Sequence, residues 1–573
     1  MVTLGDLVAQ AAAKEGLHVI KTEAYGPQIR GGESSCAVRL AAHEIAAPAD
    51  AVDVLVVFRW ADFARFRGEI QVGHDALVAY EAAEERPDVA ALGLRGDENI
   101  HWRPVPFAEA SRAATGGTGS KNIVALGMLG ELLGLPAETL RGAMERRFSK
   151  KPGLAESNGR AFEAGRELAA AAGAFAERRL SYAPSAPRLL MSGNEAVAIG
   201  ALHAGCRFFA GYPITPSSEI LHFLAEWMPR AGGSVLQTED ELAAIGAVIG
   251  GSFAGVKSMT ATSGPGLSLM TEMLGLASMA EVPVVIVNVQ RGGPSTGNPT
   301  KSEQSDLLQC LYGTHGDAPR VVLACSDVED AFHATVDAFN ISEEFQVPVL
   351  LLSDQAVGQR KETVSPGSFE HEVRERLAPT AEELEDYERY RDTASGVSPM
   401  SVPGMKKGMY QTNGLEHDTE GRPDSLYLTH ETMNAKRYRK MWPIRDRYHS
   451  FRRFGPDTAD VGILCWGSSM GPVQEAVAAA NARGERVAAF VPRMLYPFPK
   501  RDFEAFVSGV GQLLIIELSY TAQYYKYLRT FLDLPPGRTH VLKRSGGKDL
   551  TAGEVADGIE RTRALPAREA VAV

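Results

Sequence analysis

The chain has 573 residues, 45% hydrophobic and 23% charged, an ordinary globular balance at a length that calls for roughly three or four domains. Asp plus Glu number 71 against 59 Lys plus Arg, a net charge of -12, which argues against a nucleic-acid partner. Apolar runs such as Pro283 to Val289 are far too short to span a bilayer, and Met1 to Asp6 lacks the basic-then-apolar layout of a signal peptide, so a cytoplasmic protein with no membrane partner is expected.

In chain order, Asp6 to Glu15 is amphipathic and Val52 to Phe58 reads as a buried parallel-type strand. Gly116-Gly117-Thr118-Gly119 is a loop without the Gly-Lys-Ser/Thr ending of a phosphate-binding P-loop. Ile123 to Leu133 and about Glu156 to Arg179 read as helices, and Ser181 to Pro187 as a linker. A second unit starts at Arg188 to Asn194. Its strand signals recur at Arg207 to Ala210, Ser258 to Ala261, Val282 to Val289, Arg320 to Ala324 and Pro348 to Ser353, with helical stretches between. That rhythm predicts a doubly wound parallel sheet. From about Lys361 to Tyr448 the pattern breaks down into a polar, Pro-, Gly- and Met-rich stretch expected to wrap over other domains. A last α/β unit follows, with strands at Val461 to Cys465, Val487 to Val491 and Leu513 to Glu517 and a helix from Ala522 to Leu532. No two of Cys36, Cys206, Cys310, Cys325 and Cys465 form a C-x-x-C pair, so no local zinc or iron-sulfur site is encoded and no metal ligands are assigned.

Three central segments carry chemistry. Thr215-Pro216 reads as N-cap and first helical residue of a helix through Ile220 to Trp227. Free N–H groups at such a helix start suit a carboxylate, although a cap with a purely structural role has the same pattern. Glu241 precedes Leu242-Ala243-Ala244-Ile245-Gly246-Ala247, a helix apolar all round and therefore expected to be buried. A carboxylate there, held by the N–H groups of the first turn, can bond a ring nitrogen and take part in proton transfer. It can equally be a simple helix-start acid. Arg291 follows a strand and opens Gly292-Gly293-Pro294-Ser295-Thr296-Gly297. At the carboxyl end of a parallel strand, an Arg can clamp a carboxylate with two parallel bonds, and Thr300 and Lys301 lie within reach of the same ligand. A surface Arg on a turn is the alternative.

These segments bring in a resemblance. Tyr25-Gly26-Pro27-Gln28-Ile29-Arg30-Gly31-Gly32-Glu33-Ser34, Tyr212-Pro213-Ile214-Thr215-Pro216, Gly414-Leu415-Glu416-His417-Asp418 and Tyr496-Pro497-Phe498-Pro499 occur in this order. Over nearly its whole length the chain resembles the 2-oxoacid:ferredoxin oxidoreductases, and within them the fused gamma-alpha large subunit of the 2-oxoglutarate type. The resemblance implies a multidomain α/β chain. A gamma-type domain occupies 1–180, a thiamine-pyrimidine-type doubly wound domain 187–360, an irregular wrapping linker 361–455, and a transketolase C-terminal-like domain 456–573.

The implied activity interconverts 2-oxoglutarate plus coenzyme A and succinyl-coenzyme A plus CO2. Ferredoxin is the electron partner and thiamine diphosphate the cofactor. Glu241 corresponds to the family's Glu on the aminopyrimidine ring, with Pro213, Ile214 and Thr215 beside the cofactor. Thr215, Arg291 and Thr300 correspond to its substrate-carboxylate ligands. Lys301, Ser302 or partner groups are candidates for the second carboxylate of a dicarboxylic substrate. A beta subunit is implied to carry the thiamine diphosphate-metal motif, with Mg2+, and the [4Fe-4S] cluster, in a heterodimer or dimer of heterodimers. Arg30 and Gly31 are expected near coenzyme A. One departure weakens that placement: related gamma domains open with a strand and a glycine-rich loop ahead of the helix that begins here near Asp6. Pyruvate and branched or aromatic 2-oxo acids are the alternative substrates, and a non-redox thiamine-dependent enzyme component is the alternative class.

Overall fold

The computed structural model describes residues 1–25, 33–66, 68–88, 99–150, 152–172, 179–448 and 450–565. They form two compact units. The first comprises Met1–Met191 with Arg360–Pro366, and the second Ser192–Gln359 with Gly367 onward.

In the first unit the helix Val2–Lys14 buries Leu4, Leu7, Val8 and Ala11. These join the buried faces of Lys121–Leu133 and Pro152–Ala172 in one core. A three-stranded parallel sheet runs Val52–Val57, Val72–Glu81, His101–Val105. A second sheet has the order Ser34–Ala41, His18–Tyr25, Lys361–Val364, Leu189–Ser192. Two of its strands differ from the sequence reading. Leu189–Ser192 was expected to open the next unit's sheet and Lys361–Val364 to be linker. Both are four-residue segments whose hydrogen bonds are made with partners distant in sequence, so local pattern does not say which sheet receives them.

The second unit holds two sheets. The larger has the order Met494–Tyr496, Val321–Ala324, Pro348–Asp354, Val284–Gln290, Ser258–Thr262, Phe208–Gly211, Ser234–Gln237. It is parallel except for Met494–Tyr496. The central strands Val284–Gln290 and Pro348–Asp354 are buried at every position, as apolar strands covered on both faces must be. Ser234–Gln237 was missed from sequence: this edge strand is mostly exposed and has only four residues. The smaller sheet runs Phe451–Phe454, Val487–Pro492, Ala459–Leu464, Val510–Glu517, Thr539–Lys543. One hydrophobic cluster joins the two sheets, including Ile286, Leu350, Trp466, Phe490 and Phe498, so they share a core rather than merely touching. After the strand Lys361–Val364 the expected wrapping stretch is irregular up to the helix Tyr427–Arg439, broken only by short 3-10 turns among the described residues. Its last part, Phe451–Phe454, pairs antiparallel with Val487–Pro492.

Among the described residues no helix is long and apolar enough to cross a membrane. All five cysteines are free, and no group of His, Cys, Asp and Glu among the described residues is arranged to hold a metal.

Candidate active site

The loops that follow Gly211, Gln237, Thr262 and Gln290 leave the carboxyl ends of neighbouring parallel strands. Open α/β sheets place ligands at this edge. Those loops deliver Thr215, Glu241, Gly264-Pro265-Gly266 and Arg291 to one region of the fold.

Glu241 is the first residue of the helix Glu241–Phe253 and is 6% exposed. Sequence reasoning expected the N–H groups of its own helix to hold its carboxylate. Asp240 does that work instead, its Oδ1 accepting from the Ala243 N–H at 2.7 Å. Glu241 turns its side chain against the first turn of the next helix, Gly264–Met279. A Cβ built on Gly266 would stand 2.5 Å from Glu241 Oε1 and 2.1 Å from Thr262 Oγ1, so only glycine leaves room for this approach. The carboxylate makes no hydrogen bond within the described residues. Neither oxygen is sealed from solvent, so a ligand's donor can reach the carboxylate. The helix behind it is not buried all round, as was expected: Ala244, Ile245, Val248 and Ile249 face the core, while Leu242 is 51% exposed and Ala243 and Gly250 are exposed too.

Thr215 and Arg291 meet directly, Arg291 Nη1 donating to the Thr215 carbonyl at 2.5 Å. The helix after Thr215 begins later than expected. It runs Ser218–Trp227 with Ser217 as its N-cap, because Ile214 to Ser217 closes a separate turn: Ser217 N–H and Oγ both donate to the Ile214 carbonyl. Thr215 and Pro216 therefore sit in the turn before the helix rather than at its cap. Asn194 supports this turn from below, Nδ2 donating to the Pro216 carbonyl at 2.8 Å and to Glu219 at 2.9 Å.

Arg291 is buried, not the surface residue that its glycine-rich setting allows. Burial pulls its guanidinium below the usual range, and the Asp306 carboxylate works against that pull. Its Nε has no hydrogen-bond partner among the described residues, and neither do Ser263 Oγ, Thr260 Oγ1 or Asn288 Oδ1. The loop after Arg291 closes on itself, since Gly292 N–H donates to the Lys301 carbonyl at 2.8 Å and Asn298 N–H to the Gly292 carbonyl at 2.8 Å. That closure brings Thr300 and Lys301 back beside Gly292, both half-buried. Ser302 is more deeply buried, 2% exposed, and its Oγ accepts from the Ala356 N–H at 3.4 Å.

Asp306, Asn288 and Gln290 were not singled out from sequence. Asp306 Oδ2 accepts from Asn288 Nδ2 at 2.9 Å, and Asp306 N–H donates to Gln290 Oε1 at 3.1 Å. The sequence holds no signal for them, because the partners lie 16 and 18 positions apart and polar residues are ordinary in a loop.

The other motifs have structural duties in this chain. In Gly414-Leu415-Glu416-His417-Asp418, Glu416 takes two bonds from Arg437, at 3.1 and 2.8 Å, and His417 packs 4.1 Å from the Tyr390 ring. Tyr496 ends the antiparallel edge strand and Phe498 is buried in the shared core. Gly116, Gly117 and Gly119 are exposed. Arg30 and Gly31 lie outside the described residues.

Family models match nearly the whole chain. Residues 199–436 match the thiamine diphosphate-binding model of pyruvate flavodoxin/ferredoxin oxidoreductase. Residues 1–168 match pyruvate ferredoxin/flavodoxin oxidoreductase, and 459–555 match core domain II of pyruvate:ferredoxin oxidoreductase. The 2-oxoglutarate synthase subunit KorA of Methanothermobacter marburgensis is 38% identical over 371 residues, covering 64% of this chain and 97% of that protein. The 2-oxoglutarate oxidoreductase subunit KorA of Mycobacterium tuberculosis is 32% identical over 535 residues, covering 86% and 80%. A 2-oxoglutarate:ferredoxin oxidoreductase from Magnetococcus marinus, solved with 2-oxoglutarate, coenzyme A and succinyl-CoA bound, superposes with a TM-score of 0.91. It is 34% identical and the match covers 98% of this chain and 97% of that one.

Proposed function

We propose, because the chain belongs to the 2-oxoacid:ferredoxin oxidoreductase family, that it is the large subunit of a thiamine diphosphate- and coenzyme A-dependent 2-oxoglutarate:ferredoxin oxidoreductase. The observation that carries the reading is the unpartnered Glu241 carboxylate, at the same sheet edge as the Arg291–Thr215 pair. One group wants a proton donor and the other an anion.

The residues fit the thiamine ring. Glu241 offers a carboxylate to a ring N–H, and Gly266 keeps the space in front of it open. Pro213, Ile214 and Thr215 form the adjoining wall in this reading. Thiamine diphosphate, when bound, supplies the electron sink for decarboxylation. This chain's residues orient and charge the site. Arg291 holds the carboxylate of the 2-oxo acid, with Thr215 and Thr300 as its neighbours, and Lys301, Ser302 or a group of the partner subunit takes the far carboxylate of a dicarboxylic substrate. Mg2+ and a [4Fe-4S] cluster belong, in this reading, to a beta subunit. Ferredoxin is the electron partner and the assembly is a dimer of heterodimers. The exposed Leu242, Ala243 and Gly250 face of the Glu241 helix agrees with a partner that covers it.

The test is an assay of the complex purified without oxygen and loaded with thiamine diphosphate. We expect coenzyme A-dependent reduction of a viologen dye, with kcat/KM for 2-oxoglutarate well above that for pyruvate. A preference for pyruvate or a branched 2-oxo acid would keep the reaction and refute the substrate. Reduction with none of them would refute the function.

The same assay probes the Gly266 contact. Replacing Gly266 with Ala puts a methyl group where Glu241 Oε1 and Thr262 Oγ1 now approach, and a catalytic group displaced by about 1 Å loses on the order of 10² in rate. We expect that loss in kcat in G266A, with an assembled complex. Unchanged turnover would show that Glu241 does not need this position.

A further inference from the structure

The loop that opens at Arg291 ends at Asp306, a residue with no part in the reading above. We infer that Asp306 is a positioning residue that aims Arg291 at the substrate carboxylate, by locking the end of the strand from which Arg291 springs. The inference deepens the proposed function and rests on it.

Asp306 grips that strand twice. Its carboxylate accepts from Asn288 Nδ2 and its main-chain N–H donates to Gln290 Oε1. Asn288 and Gln290 are two apart on one strand, so their side chains project from the same face. Gln290 is fixed on its other side as well, Nε2 donating to the Ser353 carbonyl at 3.1 Å on the neighbouring strand. Gln290 is thus held from both directions immediately before Arg291, and Asn288 from one.

The site is built to admit this carboxylate. Both its oxygens lie 2.9 Å from where a Cβ on Gly264 would stand. Gly264 and Gly266 therefore flank the first turn of one helix with a carboxylate against each, Asp306 at one and Glu241 at the other. The two differ in role. Glu241 has no hydrogen-bond partner among the described residues, as a group awaiting a ligand should not, while Asp306 is bonded to the protein and faces the Arg291 charge.

Arg291 needs such support. Within the described residues its side chain has one hydrogen bond, to the Thr215 carbonyl, and its Nε has none. A guanidinium restrained so lightly takes its direction from the backbone it stands on and from nearby charge. Asp306 controls the first and contributes to the second. Clamping of this kind acts on substrate placement, where small displacements have large kinetic effects.

The experiment is a double-mutant cycle in the assembled complex, reading 2-oxo acid kinetics by viologen reduction. Asp306→Ala should raise KM on the order of tenfold, by more than it lowers kcat. Asp306→Asn keeps the main-chain bond and an oxygen for Asn288, and should fall between wild type and Ala. In an Arg291→Ala background, Asp306→Ala should change kcat/KM by less than about twofold, because the group it positions is gone. If Asp306→Ala does not assemble, Asp306→Asn in the two backgrounds completes the same cycle. Unchanged KM in the single variants, or an effect of full size without Arg291, would overturn the inference while leaving the function standing. A wild-type complex inactive with every 2-oxo acid would overturn both.

Discussion

Glu241→Gln is expected to give a complex that assembles and melts like wild type and turns over 2-oxo acid slower by a factor on the order of 10²–10⁴. The substitution keeps the shape of a side chain packed against Gly266 and removes its capacity to take up and return a proton. Asp240 supplies the cap of this helix, so Gln at 241 costs the helix little. Retention of kcat within a few-fold of wild type would sink the assignment of Glu241. A fall in kcat accompanied by a lost beta subunit would assign it to assembly instead. The comparison with Gly266→Ala sharpens the result, since that variant keeps the carboxylate and moves it.

The largest expected effect on stability is at Glu281, where the wrapping segment is fastened. Glu281 is 1% exposed. Lys436 Nζ lies 2.8 Å from both its oxygens, Lys440 pairs with the same carboxylate, and Arg389 Nη2 donates to its main-chain carbonyl at 2.8 Å. Three cations from the segment thus converge on the turn that ends the helix Gly264–Met279, the helix whose first turn Glu241 and Asp306 approach. The Glu281 carboxyl is held well below the usual carboxylate range: burial opposes ionisation, and the two lysines outweigh it. Burial pushes the Lys440 amine down to about 7, against the pull of Glu281.

Removing one member of a buried ion cluster leaves uncompensated charge and typically costs about 3–5 kcal/mol. Glu281→Gln should therefore lower the thermal midpoint by several degrees and expose residues 367–447 to early proteolysis. Replacing Glu281, Lys436 and Lys440 together by Met removes the carboxylate and both lysine charges, leaving Arg389 on the main-chain carbonyl, and should cost less. The pH dependence has a definite sign. A carboxylate with a depressed folded pKa stabilises above its ordinary value of 4.5 and loses that contribution as pH falls through the folded pKa. The gap between wild type and Glu281→Gln should accordingly be full above pH 4.5, shrink as pH rises through about 7 where Lys440 gives up its proton, and narrow again in strong acid. A midpoint within about 1 °C of wild type at pH 7 would show that the cluster contributes nothing net.

Much of this was legible in the chain. The βαβ rhythm from Phe208 to Asp354 is local, since apolar runs of five to seven residues between amphipathic helices are what a parallel sheet covered on both faces requires. Arg291 stood out because it follows a strand, and strand ends are where this fold class presents its ligands, Thr215 because it stands before Pro216 at an expected helix start, and Glu241 because a carboxylate opens an apolar helix. The helix after Glu241 was misread as wholly buried for a definite reason. Composition reports how apolar a helix is, but not whether its partner is in the same chain, and Leu242 faces out of this one.

The amino-acid sequence by itself determined the fold class and singled out the candidate side chains Thr215, Glu241 and Arg291, because periodicity, turn chemistry and contiguous motifs are written along the backbone. Only the tertiary structure decided how those side chains are held. Asp240 rather than Glu241 caps the helix, Ser302 accepts from the Ala356 N–H, Lys301 returns to Gly292, Asp306 grips Asn288 and Gln290, and Glu281 gathers three cations from more than a hundred residues downstream. Each is a contact between segments far apart in the chain. Its energy depends on distance, desolvation and the room a missing Cβ leaves, which no local pattern encodes.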